Sequence, residues 1–190
     1  MLKVIIFDFF DVLAPDFYRV WLEKNNLQRT GEYLKIAQDI DSGQITLDSY
    51  YSRLAELCGQ SPSSLKNEFE NNVDLNHQLF GLIKSLRKQY KIVLLTNSPA
   101  NMVRIILQNN SLEQYFDAII ISGEVGYVKP QPEIFQLALD SVQALAREAI
   151  FIDDLAEYLA GAKRVGIKGI RYKSYEKIRK ELAQKGVNVA

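Results

Sequence analysis

Three groups of polar residues stand directly behind short apolar runs in this chain, and a single lysine stands in reach of them. Asp8 follows Val4-Ile5-Ile6-Phe7, Thr96-Asn97-Ser98 follows Ile92-Val93-Leu94-Leu95, and Asp153-Asp154 follows Ala149-Ile150-Phe151-Ile152. Lys129 lies just ahead of a stretch with helical spacing that begins near Gln131. Carboxylate oxygens ligate hard cations such as Mg²⁺, a hydroxyl and backbone N–H groups hold phosphate oxygens, and an ammonium offsets the remaining negative charge. Asp153 and Asp154 side by side repel each other, and a cation is the simplest reason to keep both at one strand end. The chemistry these types suit is a divalent cation holding a phosphate. Taken singly, each residue has a plainer reading: a strand-end cap for Asp8, a helix N-cap for Thr96, a solvated side chain for Lys129.

These residues meet only if the apolar runs are neighbouring strands. The runs are β-branched and apolar on both faces, with Ala118-Ile119-Ile120-Ile121 as a further one and Lys168-Gly169-Ile170-Arg171-Tyr172 as a weaker one, which describes a parallel sheet covered by helices on each side. Leu79, Leu82-Ile83 and Leu86 recur at helical spacing, as do Ile134, Leu137-Ala138, Val142 and Leu145, in a helix expected over 131–146. From residue 74 onward the order is αβαβαβαβα, a doubly wound α/β sheet, and such sheets bind ligands beyond the carboxyl ends of their strands. Residues 14–73 contain no strand signal. They read as short helices around Phe17–Lys24, Glu32–Ile40, Leu47–Leu57 and Ser63–Asn71, with a turn at Asp41-Ser42-Gly43-Gln44 and Thr46 as the next N-cap. The expected organisation is a core of residues 1–13 and 74–190 with a helical insertion at 14–73.

The 190 residues suffice for one domain with a small insertion, and 47% hydrophobic content argues against disorder. Twenty-three basic residues balance twenty-three acidic ones, so no global field favours nucleic acid or an anionic membrane. The basic stretch Lys163 to Lys185 is interleaved with Glu176 and Glu181 and reads as a solvated helix face. The lone Cys58 cannot form an intrachain disulfide and reads as a buried apolar side chain. Asp8 and Asp11 interrupt the N-terminal apolar run, so it does not read as a signal peptide, and no run approaches the roughly 18 apolar residues of a membrane span. A cytoplasmic location is expected. His77, in Asn76-His77-Gln78, reads as a surface or capping residue. Oligomeric state leaves no mark in the sequence.

Phe7-Asp8-Phe9-Phe10-Asp11-Val12-Leu13, Leu95-Thr96-Asn97-Ser98, Gly126-Tyr127-Val128-Lys129-Pro130-Gln131-Pro132-Glu133-Ile134-Phe135 and Phe151-Ile152-Asp153-Asp154 together resemble the four ordered motifs of the haloacid dehalogenase-like (HAD) hydrolase superfamily. The match spans almost the whole chain. Residues 14–73 then resemble the helical cap that many members insert after the first strand of a Rossmann-like core. Within it, Asp41-Ser42-Gly43-Gln44-Ile45-Thr46 resembles a turn of the subgroup with small sugar-phosphate phosphatases and the epoxide hydrolase amino-terminal domain. The resemblance implies a Mg²⁺-dependent phosphatase acting on a small phosphorylated metabolite. It makes Asp8 the nucleophile that forms an aspartyl-phosphate, with Mg²⁺ held by Asp8, the backbone carbonyl of Phe10 and Asp154, supported by Asp153. Thr96 and the N–H of Asn97 would bind phosphate oxygens, and Lys129 would neutralise charge on the phosphoryl group and on Asp8.

Two departures from the pattern matter. Phosphatases of the family usually carry a second Asp two residues after the nucleophile, as the proton donor to the leaving group; here that residue is Phe10. A positioned acid–base group contributes about 10²–10⁴ in rate, so a reading as a binding or regulatory protein without turnover stands beside the phosphatase reading. Asp11 and Asp16 are the nearby carboxylates that could substitute. An aromatic residue at this position also resembles the halide-releasing members, which act on 2-haloacids without metal but usually lack the double acid of Asp153-Asp154. The second departure, Tyr158 where the family often has a small or amide residue, bears on pocket shape. In the insertion, Phe17, Tyr18, Trp21, Tyr50 and Tyr51 suit either a packed bundle or a pocket wall, and Arg19 is a candidate substrate-facing cation.

Overall fold

Alternate residues of the central strands divide the core into two layers. The structure, a computed structural model, describes residues 1–71 and 74–189. Strands β1 (Val4–Phe7), β2 (Lys91–Thr96), β3 (Ala118–Ile121), β4 (Ala149–Asp153) and β5 (Lys168–Arg171) form one parallel sheet in the order β3-β2-β1-β4-β5. Ile5, Phe7, Ile92, Leu94, Ile150 and Ile152 face one apolar cluster, and Val4, Ile6, Val93, Leu95, Ala149 and Phe151 face the other. The two-residue period of a strand makes this division, and both faces are apolar because helices cover both.

On the first face lie α5 (His77–Leu86), α6 (Ala100–Asn109) and α10 (Tyr175–Gln184), which bury Leu79 and Ile83, Val103 and Leu107, and Ile178 and Leu182. On the second lie α8 (Pro132–Asp140) and α9 (Ala156–Arg164), after the single turn α7 (Ser122–Val125). Ile134, Phe135 and Ala138 of α8 and Ala162 of α9 are fully buried there. Each Leu, Ile or Phe so buried contributes about 1.5–3 kcal/mol. The core is thus the α/β doubly wound, Rossmann-like sheet expected from the order of elements.

Between β1 and α5 the chain forms α1 (Phe17–Lys24), α2 (Gly31–Asp41), α3 (Leu47–Cys58) and α4 (Pro62–Asn71). Asp16 caps α1 by accepting from the Arg19 amide at 3.0 Å, and Thr46 caps α3 by accepting from the Ser49 amide at 3.2 Å. Trp21, Tyr51, Leu65 and Phe69 are buried at the centre of these helices, with the Trp21 and Phe69 rings 5.8 Å apart. The expected end of the insertion, residue 73, lies outside the described residues.

Two expectations need correction. The helix predicted over 131–146 stops at Asp140, because Gln143 takes a left-handed φ of +53° and the Ala144 amide turns back to the Leu139 carbonyl at 3.0 Å. Such a stop is usually marked by glycine, so Gln143 gave no signal, and Leu145, read as part of the apolar stripe, is 51% exposed. Cys58 is half-buried at the end of α3, its Sγ 3.9 Å from the Ala55 carbonyl oxygen. Of the two roles read for His77, the surface one holds: it begins α5 exposed, and the cap is Asn76. No helix among the described residues is long and apolar enough to cross a membrane.

Candidate active site

Strand register brings the acids together. Phe7 pairs with Ile152 and with Leu94, so Asp8 and Asp153 emerge side by side at the carboxyl ends of β1 and β4. This is where the strand order reverses, with β2 and β3 to one side and β4 and β5 to the other, and it is the place where such sheets leave a crevice. The Asp8 amide donates to the Ile152 carbonyl at 3.0 Å, and the Phe9 amide donates to Asp8 Oδ1 at 2.7 Å.

Lys129 bridges the two acids. Its Nζ lies 2.7 Å from Asp8 Oδ1 and 2.8 Å from Asp153 Oδ2, while the Leu155 amide donates to Asp153 Oδ1 at 2.8 Å. The lysine is only 2% exposed, and its ammonium lies 4.7 Å from the Tyr158 ring centre and 5.4 Å from that of Phe151. Asn97 holds the lysine's backbone from both sides: its Oδ1 accepts from the Lys129 amide at 2.8 Å and its Nδ2 donates to the Lys129 carbonyl at 3.0 Å. Nδ2 also donates to the Tyr158 hydroxyl at 3.3 Å. Gly161 lets α9 press against the same loop, since a Cβ there would lie 2.7 Å from the Pro130 Cβ.

Oxygens of Asp8, Asp153 and Asp154 lie within 4.8 Å of one another. Burial pushes the Asp8 carboxyl well above its usual range against the pull of Lys129, with Asp153 adding to the rise. Burial also works against the Lys129 ammonium, yet Asp8 and Asp153 together hold its pKa above the ordinary lysine value. Asp154 is pushed up to about 6 by burial and by repulsion from Asp153 and Asp11. Three carboxylates facing one ammonium leave an excess of two negative charges, which is the charge of one divalent ion. An all-oxygen, doubly negative set fits a hard cation such as Mg²⁺.

Thr96 ends β2 fully buried, and its Oγ1 has no hydrogen-bond partner among the described residues. It directly precedes Asn97, which lines the cavity above the acids. Phe10 lies in a tight turn whose bonds run from the Asp11 amide to the Ala14 carbonyl and from the Ala14 amide to the Phe9 carbonyl, and neither uses the Phe10 carbonyl. The Phe10 ring packs edge-on against Phe9 and Phe17, at 5.1 and 5.5 Å.

A cavity of about 310 Å³ opens over Asp8, Lys129 and Asp154. The insertion between β1 and α5 also lines it, through Asp16, Tyr18, Arg29, Ile40, Asp41 and Tyr50. The aromatics therefore divide: Phe17, Tyr18 and Tyr50 line the cavity, whereas Trp21 and Tyr51 pack among the helices. Arg19 is held by Asp11 through two bonds of 2.7 and 3.0 Å and by Glu23 at 2.9 Å. The looser cation is Arg29, 3.7 Å from Asp16 and 3.5 Å from Asp41. Arg29 and Asp41 were not among the residues singled out for chemistry. The turn around Asp41 was the one visible signal, and its side-chain direction was not.

The sequence profile of the haloacid dehalogenase-like hydrolases matches residues 5–172. D-ribitol-5-phosphate phosphatase of Bacteroides thetaiotaomicron is 27% identical, over 96% of this chain and 97% of its own. Pyrophosphatase PpaX of Bacillus cereus is 31% identical over a shorter stretch, 47% of this chain and 42% of its own. Among solved structures, a HAD family enzyme of Bacteroides thetaiotaomicron, an aspartate-to-alanine mutant in complex with magnesium and inorganic phosphate, superposes with a TM-score of 0.78 at 21% identity, over 94% of this chain and 99% of its own. L-2-haloacid dehalogenase of Xanthobacter autotrophicus superposes at 0.67 and 19% identity, over 99% of this chain and 85% of its own. At these identities the superpositions speak for the fold.

Proposed function

Because the chain belongs to the haloacid dehalogenase-like hydrolase family, we propose that it is a Mg²⁺-dependent phosphomonoesterase that works through an aspartyl-phosphate on Asp8. The observation that carries this reading is the buried Lys129 bridging Asp8 and Asp153 beside a third carboxylate, Asp154. A carboxylate attacks a phosphate dianion only where positive charge cancels their repulsion. Lys129 supplies one such charge at 2.7 Å from the attacking residue. Asp8, Asp154 and the Phe10 carbonyl, with Asp153 behind them, would hold Mg²⁺, which when bound supplies the remaining charge against the transferring phosphoryl group.

In this reading Asp8 forms the bond to phosphorus, the Thr96 hydroxyl and the Asn97 amide take phosphate oxygens, and Asn97 also fixes the lysine through its backbone. Residues 14–73 act as the cap that excludes water and selects the substrate. A small phosphorylated metabolite fits the 310 Å³ cavity, and the full-length similarity to a ribitol phosphate phosphatase favours an acyclic or sugar-derived phosphate. The reducing conditions suggested by a lone, unpaired Cys58 fit a cytoplasmic setting.

Hydrolysis of 4-nitrophenyl phosphate tests the reading, with Mg²⁺, with EDTA, and with Asp8→Asn. Turnover that needs Mg²⁺ and vanishes in the variant is expected; turnover unchanged in Asp8→Asn would sink the mechanism. Phe10 favours a second reading, binding without turnover, whose mark is saturable binding of a phosphorylated ligand with no product formed.

A further inference from the structure

The site as described has no proton donor for the leaving group. Phe10 occupies the expected position and is packed between two other rings. Asp11 has a left-handed φ of +56° and both its oxygens are taken by Arg19, and Asp16 is the cap of α1. Of the carboxylates that line the cavity apart from Asp8 and Asp154, one remains: Asp41, the last residue of α2.

Asp41 lines the cavity from the inserted helices, whereas Asp8 lines it from the sheet, and its place at the end of α2 is fixed by contacts with residues of the core. Its backbone carbonyl accepts from the Ser122 hydroxyl, and Ser122 Oγ in turn accepts from the Ser98 amide at 2.9 Å. Two residues on, Gly43 passes so close to α7 that a Cβ would stand 2.9 Å from the Gly123 carbonyl oxygen, and its φ is +75°. The end of α2 is thus pinned to α7, which is itself bonded to the loop after β2, while the Asp41 side chain faces the cavity. Charged and titratable groups around it are Arg29, Asp16 and Lys129, with the Tyr18, Tyr50 and Tyr158 hydroxyls on the other elements. The acid on α7, Glu124, is turned away onto Arg104 at 2.8 Å. Burial pushes the Asp41 carboxyl up to about 7 against the opposing pull of Arg29, so near neutrality it both holds and releases a proton.

We propose that Asp41, resting on the phosphatase reading above, is the catalytic acid and base of this protein in place of the carboxylate that Phe10 replaces. In-line transfer sets the attacking and leaving oxygens on opposite sides of phosphorus, so the leaving oxygen faces the wall that carries Asp41. As the Asp8 Oδ–P bond forms and the P–O bond to the leaving group breaks, the Asp41 proton passes to the leaving oxygen and the alcohol departs. A water oxygen then bonds to phosphorus, the Asp8 Oδ–P bond breaks, and the water proton returns to Asp41. Protons balance over the cycle with no other reactant than substrate and water.

The test is Asp41→Asn assayed with two aryl phosphates, phenyl phosphate as a poor leaving group and 2,4-dinitrophenyl phosphate as a good one. The expected result is a fall in kcat/KM of about 10²–10³-fold with phenyl phosphate and at most about tenfold with the dinitrophenyl ester. Phosphoenzyme on Asp8 accumulates in acid-quenched samples, and the limb of the wild-type pH profile near neutrality disappears. Asp41→Glu, which retains the acid, recovers part of the phenyl phosphate rate. The Asn side chain leaves the backbone bond to Ser122 in place and removes a carboxylate that burial penalises, so above neutral pH the variant melts higher than the wild type. Equal losses with both esters and an unshifted pH profile would overturn the proposal and leave Asp41 as a substrate-placing residue. Turnover of either ester surviving in Asp8→Asn would instead strike the phosphatase reading itself.

Discussion

Replacing Lys129 with methionine isolates the charge at the centre of the site, because methionine keeps most of the side chain's length and apolar body. The lysine is 2% exposed and sits 2.7 and 2.8 Å from two carboxylates that are themselves buried. Removing one partner of a buried ion pair costs about 3–5 kcal/mol, because the other charge remains uncompensated. For a chain of this length each kcal/mol shifts the melting temperature by about 2–4 °C, so the expected deficit is roughly 6–20 °C in EDTA at about pH 8. The sign of its pH dependence follows from linkage. With the ammonium gone, burial holds the folded pKa of Asp8 above its unfolded value, so the penalty is fully present above that raised value and fades as pH falls toward the unfolded one. In the wild type, the raised Lys129 pKa means that its contribution is fully present below the ordinary lysine value and is lost only as pH rises through the higher folded one. Melting curves by circular dichroism at about pH 8 and about pH 5 make the measurement. A deficit of the same size at both pH values would refute the electrostatic reasoning and assign the loss to packing against Phe151 and Tyr158.

Other perturbations separate structure from function. Thr96→Val removes a buried hydroxyl that has no partner, so the free protein should be as stable as the wild type or more so by about 1 kcal/mol, while the inhibition constant for inorganic phosphate rises about 10–100-fold; a clear loss of stability would contradict the first half. Gly43→Ala forces a side chain into a left-handed φ and against the Gly123 carbonyl, and should cost at least about 1–2 kcal/mol in chemical denaturation, with an unchanged midpoint speaking against the pinned turn. Mg²⁺ at about one hundred times its dissociation constant should stabilise the wild type by about 2.7 kcal/mol, and Asp154→Asn should abolish most of that gain; an equal gain in the variant would place the ion elsewhere.

The strands were legible because each is a short, β-branched run apolar on both faces, and that pattern has few uses outside a parallel sheet. The order of polar residues behind those runs was equally legible: Asp8, Thr96, Lys129 and the Asp153-Asp154 pair are read directly from the chain, and their order matches a family. The helix boundary at Asp140 was not, because a glutamine adopts the left-handed turn that glycine usually marks. Arg19 illustrates a different gap. Its type suits a substrate-facing cation and it does line the cavity, yet Asp11, brought near by a turn, holds it with two bonds, and Arg29 on the same cavity is the more loosely held.

Sequence by itself determined the fold class and the identity of the acids and lysine, since both depend on local periodicity and on which residue types follow a strand. Tertiary structure decided how those groups use one another. The register of β1 against β4 set Asp8 beside Asp153, and the loop before α8 lowered Lys129 between them with Asn97 holding its backbone. The same holds for Asp41, whose carboxyl reaches the cavity because Gly43 and Ser122 pin the end of α2 to α7. Burial, pKa and side-chain direction depend on contacts between residues far apart in the chain, and no local pattern records them.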